Sequence, residues 1–193
     1  MPRTPEQYEE IRNEKKKIIL DAALKLFANK GYSATSINQI AEAANISNGL
    51  MYNYFKSKEE LLTDIVASYI DKLIEITDPN CNDILSEEDM MRLFDNYFEL
   101  LMTRTEEAKL YTQLSVQPEV IKIISNALPK ISKQEEIVFS YFAESQNAKM
   151  MMMNFEVIMH GLMMMYAFAH KDYPDELMFQ YRDFLKSLFI RFR

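Results

Sequence analysis

Apolar residues recur at helical spacing along most of the chain. Ile11, Ile18, Ile19, Ala22, Ala23, Leu26 and Phe27 lie on one helical face, which predicts a first helix ending near Lys30 with Gly31 as its C-cap. A second, short helix starts at Thr35 or Ser36, where Ser36 and Gln39 have capping-box spacing, and carries Ile37, Ile40, Ala41 and Ala44 on one face. It stops at Asn45, a residue that tolerates a left-handed backbone. Ser47 caps a third helix, from Asn48 to about Phe55. Ser57 and Glu60 then precede a fourth helix running through Leu61, Leu62, Ile65, Val66, Tyr69, Ile70, Leu73 and Ile74, which Asp78-Pro79 ends.

The later signals are coarser. Ser86 with Asp89 opens a helix carrying Met90, Leu93, Phe94, Tyr97, Phe98 and Leu101. Pro118 and Pro129 punctuate two further helices. Residues 149–171 read as one long helix, and Pro174 restarts the chain into a last one with Leu177, Phe179, Tyr181, Phe184, Leu185, Leu188, Phe189 and Phe192. No internal repeat and no strand alternation stands out. The expected fold class is all-α, with eight to ten helices.

Composition supports this reading. Only three glycines and six prolines occur in 193 residues, too few for the tight turns of a strand-rich fold, and 48% hydrophobic residues suffice for a packed core. The lone Cys81 reads as a free thiol of a reducing cytoplasm, and no signal peptide is expected in the polar N-terminus. The most apolar stretch, residues 150–169, contains Asn154, Glu156 and His160, so a buried helix is expected rather than a membrane span. No metal or cofactor set is expected, because one cysteine and two distant histidines cannot build one. No nucleophile-base-acid set or phosphate loop argues for an enzyme.

The net charge of −7 is unevenly shared. Residues 1–60 hold nine Lys/Arg and eight Asp/Glu, a net of +1, which leaves −8 for residues 61–193. That balance permits nucleic-acid binding by the first part without demonstrating it. The run Lys15, Lys16, Lys17 is either a solvated helix face or a phosphate-contacting arm.

The informative segment is residues 35–58, where two short capped helices are separated by Asn45-Ile46-Ser47. Such a turn lets the second helix project into a major groove. On that helix Met51 and Phe55 face inward, and Asn48, Leu50, Tyr52, Asn53 and Tyr54 lie on or near the outer surface. Asn48 and Asn53 carry amides that suit adenine edges, Leu50 suits a thymine methyl, and Gly49 lets the backbone approach a duplex. The hydroxyls of Thr35, Ser47, Tyr52 and Tyr54, with the Lys58 amine, suit phosphate oxygens.

Residues 35–61 closely resemble the signature of the TetR/AcrR family of bacterial regulators. The matching positions are Ile40-Ala41, Ala44 to Ser47, Gly49, Tyr52, Tyr54-Phe55 and Lys58, preceded by Ala22-Ala23, Leu26-Phe27 and Gly31-Tyr32. Asn45 stands where the family usually has Gly. The resemblance covers about residues 15–65. It implies a homodimer on a palindromic operator and a C-terminal helical pocket whose ligand changes the spacing of the two reading heads. It also implies base or groove contacts by Asn38, Asn48, Gly49, Leu50 and Asn53, and phosphate contacts by Thr35, Ser47, Tyr52, Tyr54 and Lys58; Ser36 joins this DNA-facing set.

The expected organisation is a helix-turn-helix domain at residues 1–60 and a helical effector-binding and dimerisation domain at 61–193. The long helix at 149–171 is apolar on nearly every side, so both faces need cover; a partner's helices would supply it, pairing with this helix and with 175–193. Gly161, Ala167 and Ala169 would permit close approach. The methionines of this helix suit either a gap-filled core or a pocket for a small apolar effector, with Phe94, Tyr97, Tyr111 and His160 as candidate lining residues. The expected function is a repressor released by such a ligand; the alternative is a DNA-binding protein without an effector, acting through protein partners or DNA architecture.

Overall fold

The computed structural model describes residues 4–77, 84–126, 128–169 and 173–191. Among the described residues there are ten helices and no strand: α1 (Pro5–Lys30), α2 (Ile37–Ala43), α3 (Asn48–Tyr54), α4 (Lys58–Thr77), α5 (Glu87–Thr103), α6 (Thr105–Ser115), α7 (Pro118–Asn126), α8 (Leu128–Phe142), α9 (Ala148–Ala169) and α10 (Asp175–Arg191). The expected stop at Asp78-Pro79, together with Cys81, His170, Lys171 and Phe192, lies outside the described residues. No helix among the described residues is long and apolar enough to cross a membrane.

Local chemistry accounts for most boundaries. Thr4, Ser36 and Ser86 each cap their helix in a reciprocal box with the residue three positions on, Gln7, Gln39 and Asp89. Ser47 accepts the Leu50 N–H at the start of α3. Ser57 likewise accepts the Glu60 N–H, but the Glu60 carboxylate turns to the Lys56 N–H instead of closing a box. Pro118 and Pro129 both fall in first turns, where the missing N–H costs nothing. Sequence periodicity did not separate α5 from α6; the break is at Arg104.

The chain divides into two compact units. One comprises the described residues up to Ser68 together with Gln113–Ile124, the end of α6 and most of α7; the other comprises Tyr69–Thr112 and the residues from Ser125 onward. The first unit therefore reaches past residue 60 and takes in a segment of distant sequence. Its core includes Ile19, Ala23, Phe27, Ile40, Ala41, Met51, Phe55, Leu61, Leu62, Leu114 and Val120, all at most 1% exposed. Each such side chain contributes about 1.5–3 kcal/mol of burial for the larger apolar residues.

In the second unit α5 packs against α9 and α10, and α8 against α9. Phe94, Phe142, Phe155 and Phe189 form an aromatic cluster with centroid separations of 5.5–6.2 Å. Helix α9 sorts its apolar residues into two stripes. Met151, Phe155, Met159, Leu162 and Tyr166 are buried in the unit's core, while Met150, Met153, Val157, Met164 and Phe168 are exposed.

Candidate nucleic-acid interface

The geometry of the interface starts at Asn45. Its φ is 53°, the one positive value at a non-glycine among the described residues. The Asn45 N–H bonds to Glu42 O and the Ile46 N–H to Ala41 O, both at 3.0 Å. These are the paired bonds of a Schellman ending, with asparagine at the left-handed position usually taken by glycine. The turn closes α2 and aims α3 away from it. Met51 and Phe55 then anchor α3 in the core, at 0% and 1% exposure.

The opposite face of α3 is open. Asn48, Gly49, Leu50, Tyr52 and Asn53 are exposed, as is Asn38 on α2. A Cβ placed on Gly49 would meet nothing within 4 Å. Tyr54 is half-buried, with the Arg12 guanidinium 5.8 Å from its ring centroid. This surface carries two primary amides, one aliphatic side chain and one free-standing phenol on a rigid helix, a composition able to form hydrogen bonds to base edges and backbone while also presenting an apolar contact.

The remaining candidates are committed to the fold in varying degrees. Ser36 and Ser47 are exposed, but their oxygens accept backbone N–H groups as caps. Thr35 departs from expectation. Its side chain is buried, and its hydroxyl donates to Gly31 O at 2.8 Å and to Leu26 O at 3.3 Å. The capping position beside it went to Ser36, so Thr35 faces inward and shapes the α1–α2 loop. Lys58 is half-buried; its amine donates to Tyr32 O and Thr35 O, each at 2.8 Å, and sits 4.3 Å from the Tyr32 ring centroid. Two of its three protons thus hold the same loop. Of the basic run, Lys16 pairs with Asp64 at 2.8 Å and lies over the Phe55 ring, while Lys15 and Lys17 are exposed.

Sequence reasoning missed two residues of this region. Gln117 bonds to the end of α1 through both amide atoms, and Glu119 accepts from the Ser33 hydroxyl. That hydroxyl, more than any charge, holds the Glu119 carboxyl below its ordinary range. Burial pushes the Tyr32 phenol up, with Glu59 and Glu119 adding to the shift. No local signal marks either Gln117 or Glu119, because their partners lie more than eighty positions earlier.

The second unit treats its four candidates differently. Phe94 and Tyr97 are buried in its aromatic core, and the Tyr97 hydroxyl donates to Met159 O at 2.6 Å. Tyr111 is buried and stacks on Tyr69 at 4.3 Å, with Lys72 5.6 Å from its ring centroid. Burial raises the titration of both the Tyr69 and Tyr97 phenols, so they stay protonated donors. His160 is not brought to this interior. It is exposed on the outer stripe of α9, its Nδ1 2.9 Å from Glu156 O, so the backbone and not the Glu156 carboxylate orients it.

Known proteins resemble the chain both in sequence and in fold. The profile described as bacterial regulatory proteins, tetR family, matches residues 19–65. The helix-turn-helix-type transcriptional regulator YuxN of Bacillus subtilis is 52% identical over 59 residues, which are 31% of this chain and 20% of that protein. YhgD, another such regulator of Bacillus subtilis, is 30% identical over 131 residues, 66% of this chain and 65% of that protein. The chain thus spans between a fifth and about two thirds of these relatives. Among solved structures, NalD, the secondary repressor of the MexAB-OprM multidrug efflux pump in Pseudomonas aeruginosa, shares the fold with a TM-score of 0.69 and 18% identity, over 93% of this chain and 96% of that one.

Proposed function

Because the chain belongs to the TetR family of bacterial transcriptional regulators, we propose that it is a repressor that binds a palindromic operator as a homodimer and leaves it on binding a small apolar ligand. The observation that carries the reading is the face of α3. Asn48, Gly49, Leu50, Tyr52 and Asn53 stand exposed over a helix anchored by Met51 and Phe55. Asn38, Asn48, Leu50 and Asn53 would read base edges, with Gly49 allowing close approach. Tyr52, Tyr54, Ser36, Ser47 and the third Lys58 proton would meet phosphates. Thr35 acts from inside the fold.

Dimerisation through α9 and α10 is supported by their unpartnered apolar stripes. Met150, Met153, Val157, Met164 and Phe168 on α9, and Leu177 and Phe184 on α10, are all 46–66% exposed. A row of exposed apolar side chains on each of these helices would find cover in such an interface. Gly161 lies on the exposed side with open space above it, so a second helix could approach closely. His160 belongs to this face in the proposal, not to an effector pocket. The effector would be taken among Phe94, Tyr97 and Tyr111, aromatic side chains that suit a small apolar molecule. The reading gives the chain no catalytic role and a cytoplasmic location.

A gel-shift titration tests it. A duplex from the region upstream of the chain's own gene should be retarded at concentrations about a thousandfold or more below those needed for random duplex, given the specificity ratios of such proteins. Equal retardation of both would overturn the repressor reading.

A further inference from the structure

Helix α1 ends without completing its own hydrogen bonds. Gly31 caps it at φ 89° and ψ 148°, so the chain extends away at once and does not curl into a Schellman turn. The Gly31 N–H still reaches Phe27 O at 3.0 Å, but the Tyr32 N–H points off the helix. Its acceptor comes from 85 positions along the chain: Gln117 Oε1, at 2.8 Å. The same amide donates from Nε2 to Phe27 O, also at 2.8 Å. One side chain thus satisfies the donor that the helix end leaves and adds a second bond to the Phe27 carbonyl.

The loop that follows is held at both of its ends and through the Ser33 hydroxyl. Tyr32 O accepts from Lys58 and from the Thr35 N–H, Ser33 Oγ donates to Glu119, Thr35 Oγ1 donates to Gly31 O, and Thr35 O accepts from Lys58. At its end stands Ser36, the N-cap of α2, and the Asn45 turn sets α3 on α2. An error in the loop therefore propagates to the reading face.

We infer that Gln117 is a positioning residue for DNA recognition, and that the DNA-binding module is a composite of the residues up to Ser68 and the segment Gln113–Ile124. This rests on the DNA-binding reading above. It assigns the module's geometry to an amide that no local pattern near the helix-turn-helix contains.

The amide chemistry supplies a test. Glu at this position is nearly isosteric. Protonated, it offers one O–H donor for Phe27 O and one acceptor for the Tyr32 N–H; ionised, it loses the donor and sets a negative charge against a carbonyl. Its titration should accordingly be raised. In the full-length chain, Gln117→Ala should weaken specific duplex binding about tenfold (1.4 kcal/mol) at a temperature well below melting, with amide exchange accelerated at residues 32–36 and not elsewhere. Gln117→Glu should show the same loss at pH 8 and recover wild-type affinity, compared at equal pH, near pH 5.5. Gln117→Ala binding within twofold of wild type would overturn the inference. So would a Gln117→Glu variant equally weak at both pH values, and this second variant decides the matter should Gln117→Ala fail to fold. A wild-type chain with no preference over random duplex sinks the repressor reading and this inference with it; wild-type preference with an unaffected Gln117→Ala sinks this inference alone.

Discussion

Replacing Thr35 with Val separates two roles that sequence alone confounds. The side chain is 2% exposed, and its hydroxyl donates to Gly31 O at 2.8 Å. Val keeps the shape and removes the proton, leaving the Gly31 carbonyl short of a buried donor. That should cost about 1–2 kcal/mol, the range for a lost neutral hydrogen bond with its partner left buried. For a chain of this length such a loss lowers Tm by about 3–6 °C, readable by far-UV circular dichroism. Duplex binding measured well below the transition should fall by only a few-fold, because the Lys58 and Gln117 bonds still hold the loop. A hydroxyl that reached a phosphate would behave oppositely: a hydrogen bond to a charged group is worth about 1.5–3 kcal/mol, so its loss would weaken binding by about tenfold or more with little change in Tm. Observing that second pattern would refute the inward placement of Thr35 and the loop geometry built on it.

Asn45 sits at φ 53°, so Asn45→Ala should destabilise by about 1 kcal/mol through left-handed strain, while Asn45→Gly stays near neutral in a thermal melt. Phe184 is 56% exposed on the α10 stripe; Phe184→Glu should shift light scattering from about twice 22.8 kDa toward a single chain, and an unchanged dimer would remove α10 from the interface. The Asp89 carboxyl is held below its ordinary 3.8 chiefly by the Ser86 hydroxyl and N–H, with Arg92 2.7 Å away. Its stabilisation is therefore present above that value and lost as pH falls through the lower folded one. Urea melts should show wild type more stable than Asp89→Asn by about 1 kcal/mol at pH 7, a cap's worth, with the difference vanishing in acid.

Features governed by near neighbours were legible. Ser36, Ser47 and Ser86 announced their helices because a cap and its partner lie three residues apart, and Asn45 announced the turn because few residues accept its backbone angle. Thr4 with Gln7 carried the same signal for α1, whose first turns bury no apolar residue among the described ones and so lay outside the hydrophobic pattern. Composition could not sort α9: its few polar residues, Asn154, Glu156 and His160, are outnumbered by apolar ones on every side, and packing divided Met151 and Met159 from Met150 and Met153. Thr35 looked like a phosphate contact because inward and outward hydroxyls at a helix start read alike. Lys58 looked like a free cation because the carbonyls that bind it belong to residues 23 and 26 positions earlier. Gln117 and Glu119 were illegible for the same reason over a longer span.

The central claim is that α2 and α3 read a defined duplex sequence in two copies. Enrichment of bound sequences from a random duplex library, with the full-length wild-type chain at physiological salt, tests it most directly. The account predicts convergence on an inverted repeat whose half-sites are separated by about one helical turn or a multiple of it. Failure to enrich any sequence over the starting library would contradict it.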